Sequence, residues 1–162
     1  MRKKGNLRWL WLSFAVIALD QWTKYLATQH LAFAQPYSVI KFFNLRLAYN
    51  KGAAFSFLSS ASGWQNWFFI GFACLVCVLV LIWLSRIPRN QYWLATALSL
   101  IFGGALGNLM DRAYYGHVID FIDLYVKNWH WPTFNLADSA ICIGVVMLLL
   151  DVVFGKDKKE KN

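Results

Sequence analysis

One long uncharged interval most constrains what this chain can fold into. No charged residue occurs between Lys51 and Arg86, and the run from Trp67 to Leu84 is almost wholly apolar. A membrane helix needs ~20 such residues to cross the hydrocarbon core. The run therefore predicts a transmembrane helix, bounded here as 65–85, and an integral membrane protein.

Three further apolar blocks predict three more spans. The chain has 162 residues, 59% hydrophobic and 18% aromatic but only 15% charged, which is unlike a soluble domain and leaves no room for two sizeable domains. We therefore expect a single membrane domain over 1–162. Its other predicted parts are spans at 7–27, 92–110 and 136–154, outer segments at 28–64 and 111–135, and a cytoplasmic tail at 155–162.

The net charge of +8 comes from basic clusters that flank the apolar blocks. Nucleic-acid binding would need these bases to share a folded face, so no nucleic-acid partner is expected. Clusters beside spans instead mark the cytoplasmic side, which predicts that both termini are cytoplasmic. The residues assigned to that side are Arg2, Lys3, Lys4, Arg8, Arg86, Arg89, Lys156, Lys158, Lys159 and Lys161.

The first apolar block has two interpretations. The order of features resembles a cleavable secretory signal: basic residues, then an apolar run, then Ala32-Phe-Ala34 as a possible cleavage site. Asp20, Gln21 and Lys24, however, place a polar interruption before those alanines, which favours a retained helix. Asp20 and Lys24 are also one helical turn apart, so we expect them to share a face. They would either form an ion pair or anchor loop or lipid headgroup contacts, and we favour a structural role with some contact to lipid.

The first outer segment contains a strand pattern. From Phe43 to Asn50 apolar and polar residues alternate, a period of two that predicts a strand. Asn50-Lys-Gly52 supplies turn residues, and 53–58 is a candidate second strand. These patterns predict a small sheet on the outer membrane surface.

Small residues mark the end of the third span and the middle of the second. Gly103, Gly104 and Gly107 have the spacing that lets another helix approach closely.

Cys74 and Cys77 form a C-x-x-C, which is a redox or metal pattern in soluble chains. Inside an apolar run we expect them to be buried hydrophobic side chains.

The acidic residues carry the candidate chemistry. No Gly-x-Ser-Gly motif is present, and the sole glutamate, Glu160, lies in the tail, so serine and zinc hydrolysis are not expected. Two neighbouring carboxylates can instead share one proton and activate water without a metal. Four of the eight acids lie close together in the chain: Asp111, Asp120, Asp123 and Asp138.

Not all four acids are expected to be catalytic. Asp111 is interpreted as an ion-pair partner of Arg112, and Asp123 as a solvated residue on a short amphipathic stretch. A proton relay and a non-catalytic scaffold remain alternative functions. A relay would need acids spread across the membrane depth, whereas these cluster at one face.

Five motifs, in order, resemble the signature blocks of the lipoprotein signal peptidase family, or bacterial signal peptidase II. They are Asp20-Gln-x-Thr-Lys24, Asn50-x-Gly-Ala-Ala-Phe55, Gly103-Gly-Ala-x-Gly-Asn-x-x-Asp-Arg112, Val118-Ile-Asp-Phe121 and Phe134-Asn-x-Ala-Asp138. The resemblance covers nearly the whole chain outside its termini.

The resemblance implies an aspartic endopeptidase of the bacterial inner membrane, acting at the outer (periplasmic) face. Its catalytic pair would be Asp120 and Asp138. Its substrates would be prolipoproteins, cut just before a diacylglyceryl-modified cysteine, and its other partner membrane lipid, with no obligatory protein partner, cofactor or metal. Residues that would bind substrate or support the site are Asp20, Lys24, Asn50, Gly52, Gly104, Asn108, Arg112, Asn135 and Ala137.

The expected fold is an all-α integral membrane protein. It has four transmembrane helices, a small extracytoplasmic β-sheet cradle and a short outer helix. Asn108 and Asn135 are expected to hydrogen-bond carboxylates or the scissile peptide. Arg112 is expected to hold loops or to neutralise Asp111, and Gly52 to let a loop lie close over substrate.

Overall fold

The structure, a computed structural model, describes residues 5–52 and 64–154. A short 3-10 turn at Leu7–Trp9 precedes the first long helix. The helices are α1 (Leu10–His30), α2 (Trp64–Arg86), α3 (Tyr92–Tyr115) and α4 (Leu136–Phe154), and the strands are β1 (Pro36–Ile40), β2 (Phe43–Asn50), β3 (Val118–Val126) and β4 (Trp129–His130).

Helix α3 is the centre of the helical bundle and packs against α1, α2 and α4. Its small residues make this possible. A Cβ atom added to Gly103 would lie 2.9 Å from the backbone oxygen of Ser13 in α1, and one added to Gly104 would collide with the backbone oxygen of Ala137 in α4. The predicted close approach at these glycines is therefore present, and it involves two different helices.

Three helices of the described chain are long and apolar enough to cross a membrane: α2, α3 and α4. Helix α1, which carries Asp20, Gln21 and Lys24, lies outside that set although it packs in the same bundle. Helix α3 continues to Tyr115, beyond the predicted limit at residue 110. It ends there because Gly116 adopts a left-handed conformation and donates its N–H to the carbonyl of Arg112.

The four strands form an antiparallel sheet in the order β1-β2-β3-β4. The strand predicted at Phe43–Asn50 is confirmed as β2. Its partners are β1 and β3, and one extra residue on β2 between Leu45 and Ala48 forms a bulge that leaves Ala48 opposite Asp120. Leu47, Ile119 and Phe121 pack with Ala27 near the end of α1, which fixes the sheet on the bundle.

Several expectations about the outer segments need correction. The chain is not all-α, because β3 occupies nine residues of a segment interpreted as loop and short amphipathic stretch. No short outer helix occurs in the described segments 31–52 and 116–135. The candidate strand at 53–58 lies outside the described residues. Periodicity missed β3 because it is buried on both faces along most of its length and so does not alternate.

The cysteines are also only partly as expected. Cys77 is buried, whereas Cys74 and Cys142 are exposed on the surfaces of their helices, and all three are free thiols. An apolar run does not distinguish the packed face of a membrane helix from the face turned towards lipid, so the sequence alone left Cys74 on the wrong face.

Candidate active site

Asp120 and Asp138 line the same pocket, which has a volume of about 1050 Å³. Asp120 lies near the start of β3, and Asp138 lies in the first turn of α4. The pocket opens between the sheet and the helices, and Asn50, Asn108 and Arg112 also border it. Two segments that are separate in the chain thus bring two carboxylates to one concave site.

Asn135 connects the two aspartates. Its side-chain amide donates to Asp120 Oδ1 over 2.7 Å, and its side-chain oxygen accepts from the backbone N–H of Asp138 over 2.9 Å. Asp138 Oδ2 in turn accepts the backbone N–H of Asn135 over 3.2 Å. This reciprocal cap fixes the start of α4 and the orientation of both carboxylates at once.

Asn108 approaches the same acids from α3. Its amide nitrogen donates to Asp138 Oδ1 over 2.8 Å. Its amide oxygen accepts from Lys24 Nζ over 3.0 Å and from the Asn135 amide over 3.1 Å. Because an ammonium group can only donate, Lys24 determines which end of the Asn108 amide faces Asp138.

The predicted ion pair between Asp20 and Lys24 is present, with Nζ 2.8 Å from Asp20 Oδ2. Lys24 Nζ lies equally close to Asp111 Oδ2. All three side chains are buried, so they lie behind the pocket and not in it, and the expectation that Asp20 and Lys24 contact lipid is wrong. Asp20 also accepts the backbone N–H of Ala137 over 2.9 Å, and Asp111 that of Ile119 over 3.1 Å.

Arg112 and Asn50 hold Gly52, which lies just after β2. Arg112 Nη2 donates to the carbonyl of Gly52 over 3.2 Å, as the loop-holding interpretation predicted. The Asn50 side chain hydrogen-bonds Asp120 and also accepts the N–H of Gly52 over 3.0 Å. The guanidinium of Arg112 further lies 5.1 Å from the ring centre of Phe69 on α2.

Burial raises the pKa of Asp120 to about 7, and the nearby charge of Asp138 adds to this increase. Hydrogen bonds from Asn50 and Asn135 and the charge of Lys24 act in the opposite direction. At neutral pH the Asp120 carboxyl therefore exchanges a proton readily, as an acid in hydrolysis must.

Two acids were assigned wrongly from the sequence. Asp111 pairs with Lys24 of α1 and not with its neighbour Arg112. Asp123 is not solvated: it is fully buried, accepts from Asn44 over 3.1 Å and lies 2.8 Å from His130 Nδ1. Lys24 lies on a different helix from Asp111, and His130 reaches Asp123 only because β4 folds back on β3, so no local pattern indicated either pairing.

Apolar helices, a small sheet, and one buried and one half-buried aspartate in a shared pocket define the class of protein, an integral membrane aspartic peptidase. Over residues 12–154 the chain matches the family model described as "Signal peptidase (SPase) II". The chain belongs to this family.

Relatives and solved structures agree with this assignment. A lipoprotein signal peptidase from Acinetobacter baumannii is 52% identical over 157 residues, covering 97% of this chain and 89% of the relative. One from Coxiella burnetii is 48% identical over 158 residues, covering 98% and 97%. A bacterial membrane enzyme solved by the in meso method at 2.3 Å superposes with a TM-score of 0.83 at 32% identity, covering 100% of this chain and 96% of that one.

Proposed function

We propose that this enzyme removes signal peptides from prolipoproteins by cleaving before the diacylglyceryl-modified cysteine, with Asp120 and Asp138 as the catalytic pair. The observation that carries the proposal is that both carboxylates border one pocket and are joined through Asn135. A single amide that contacts both acids holds them for joint action on one bound water and one peptide bond.

The two acids take different roles in the reaction. Asp138 accepts a proton from water, and the resulting hydroxide adds to the scissile carbonyl carbon. Asp120, whose pKa is raised, gives its proton to the carbonyl oxygen. When the tetrahedral intermediate collapses, Asp120 takes a proton back from one of its hydroxyl groups, the proton held by Asp138 passes to the amide nitrogen, and the C–N bond breaks. The pair needs no cofactor and no metal for these steps.

The pocket also suits a substrate that carries lipid. Along α4 it is bordered by Ile141, Cys142 and Ile143, below the turn that holds Asp138. Acyl chains against this apolar surface would be stabilised by ~0.8 kcal/mol per buried methylene. Such anchoring places the modified cysteine, and the bond before it, at the depth of the two carboxylates.

Asn50, Gly52 and Arg112 are proposed to border the bound peptide, and Gly104 and Ala137 to keep α3 and α4 in contact beneath it. The carbonyl of Gly52 accepts a hydrogen bond from Arg112, which fixes Gly52 relative to α3. Asn108 and Asn135 are assigned to orienting the carboxylates, because their amides are engaged with them.

The enzyme is proposed to act at the outer face of the bacterial inner membrane, with both termini in the cytoplasm. Charge supports this orientation: ten of the sixteen Lys and Arg residues fall in the N-terminal segment, the α2–α3 turn and the tail. Asp120 and Asp138 lie at the opposite end of the spans. The partners are the prolipoprotein substrate and membrane lipid, without an obligatory protein partner.

The test is cleavage by the purified full-length chain in detergent. The substrate is a diacylglyceryl-modified prolipoprotein, and the matched control is the same precursor without the lipid. We expect release of the signal peptide from the modified precursor alone, at a rate that a chelator does not change. Equal cleavage of both precursors would contradict the lipid requirement, and loss of activity with chelator would contradict the metal-free mechanism.

A further inference from the structure

Behind the pocket, Asp20, Lys24 and Asp111 form a closed cluster of ionised side chains, which we call the brace. Lys24 Nζ lies 2.8 Å from one carboxylate oxygen of each acid. Gln21 completes it by donating to Asp111 Oδ1 over 2.8 Å and to Asp20 Oδ2 over 3.3 Å. The three charged side chains are at most 2% exposed, so substrate does not contact them.

Each acid of the brace holds the residue that immediately precedes a catalytic aspartate. Asp111 accepts the N–H of Ile119, the neighbour of Asp120. Asp20 accepts the N–H of Ala137, the neighbour of Asp138. Asn135 and the pairing of Ile122 with Phe134 already join β3 to the start of α4. A single ammonium group between two carboxylates adds a second connection, which fixes one proposed catalytic residue relative to the other.

The brace also contacts the proposed catalytic pair, Asp120 and Asp138 (the dyad), through a side chain. Lys24 donates to the Asn108 oxygen, and the Asn108 nitrogen donates to Asp138. Helices α1 and α3 pack closely at the brace, since a Cβ atom on Gly107 would lie 2.7 Å from Asp20 Oδ2. Movement of Lys24 would therefore disturb both the backbone that carries the dyad and the amide that orients it.

We propose that the brace is a positioning device that also sets the charge felt by the catalytic pair, and that Asp111 is one of its essential members. The proposal rests on the proposed function.

The brace carries two negative charges and one positive charge. Removing one carboxylate therefore makes the region behind the dyad more positive by one unit. A more positive surrounding favours loss of the catalytic proton at lower pH.

Several other charged or titratable groups act on Asp120 in the same site. Lys24 of α1, Asp138 of α4 and Arg112 of α3 interact electrostatically with it, Lys51 and His130 line the same pocket, and Asp20 and Asp111 flank Lys24. The substitutions below change the brace alone and leave Arg112, Asp138, Lys51 and His130 in place.

The test is the pH–rate profile for cleavage of the diacylglyceryl-modified precursor by the full-length enzyme in detergent. Asp111→Asn and Asp20→Asn retain an oxygen that accepts the backbone N–H but lose the charge. Each is expected to move the alkaline limb down by about one pH unit, with kcat lowered and KM changed less than about twofold. The double variant K24M/D111N restores the net charge and should return the limb towards that of the wild type.

Asp151→Asn is the matched control, because it removes a carboxylate from an exposed position on α4. Its profile should superpose on that of the wild type. The proposal is overturned if Asp111→Asn and Asp20→Asn lower kcat without moving the limb, or if Asp151→Asn moves it equally. Failure of the proposed function would look different, since the wild-type enzyme would then not cleave the modified precursor, or Asp120→Asn would still cleave it.

Discussion

Asn135 and Asp138 cap one another at the start of α4. The Asn135 side-chain oxygen accepts the backbone N–H of Asp138, and the Asp138 carboxylate accepts the backbone N–H of Asn135. A carboxylate that we propose to be catalytic is thereby also part of the helix terminus, so the same two hydrogen bonds determine the geometry of the site and the start of α4.

Two substitutions of Asn135 separate these contributions. Asn135→Ser keeps an oxygen that caps α4 but loses the amide that reaches Asp120, so we expect near wild-type thermal stability with reduced kcat. Asn135→Ala loses both and should also be less stable by ~1 kcal/mol. Thermal unfolding and cleavage rates of the two variants check this. Equal stability of the two would show that the cap contributes little.

Replacing either catalytic acid should abolish cleavage. Asp120→Asn and Asp138→Asn are close in shape to the wild type but cannot exchange the proton, and general acid–base groups contribute ~10²–10⁴-fold to rate. We expect losses in that range or above, measured as signal-peptide release by variants shown to be folded by thermal unfolding. Near-normal processing by either variant would refute the assignment of the dyad.

The raised pKa of Asp120 predicts a pH dependence of stability. The folded state keeps this proton up to about pH 7, whereas the ordinary pKa is 3.8. The stability that this group contributes is therefore fully present below pH 3.8 and is lost as pH rises through 7, at ~1.4 kcal/mol per unit of pKa shift. Asp120→Asn should consequently raise the melting temperature more at pH 8 than at pH 3.5. An equal effect at both pH values would contradict the prediction.

Gly104 is expected to tolerate no side chain. A Cβ atom there would collide with the backbone of Ala137, next to Asp138, so Gly104→Ala should separate α3 from α4 and lower both stability and kcat. Gly71→Ala on α2 is the matched control, because nothing lies within 4 Å of its added Cβ. Melting temperature and cleavage rate should fall for the first variant only.

The long apolar helices and the strand β2 could be predicted from the sequence because their signals are local. An uncharged apolar run long enough to cross a bilayer can form few structures other than a membrane helix. The alternation of apolar and polar residues from Phe43 to Asn50 has the period of a strand. The motifs likewise singled out Asp120 and Asp138 by resemblance. The other strands were missed, since β1 is exposed throughout and β3 is mostly buried on both faces.

The pairing of the charged residues was decided by tertiary structure alone. Sequence proximity suggested Arg112 for Asp111 and solvent for Asp123, but the partners are Lys24 and His130. A carboxylate buried away from water takes whichever donor the packing of helices and strands brings to it. The sequence by itself determined a membrane bundle with acids at one end; only the close contact of α3 with α1 and α4, permitted by glycines, arranged those acids into a dyad and a brace.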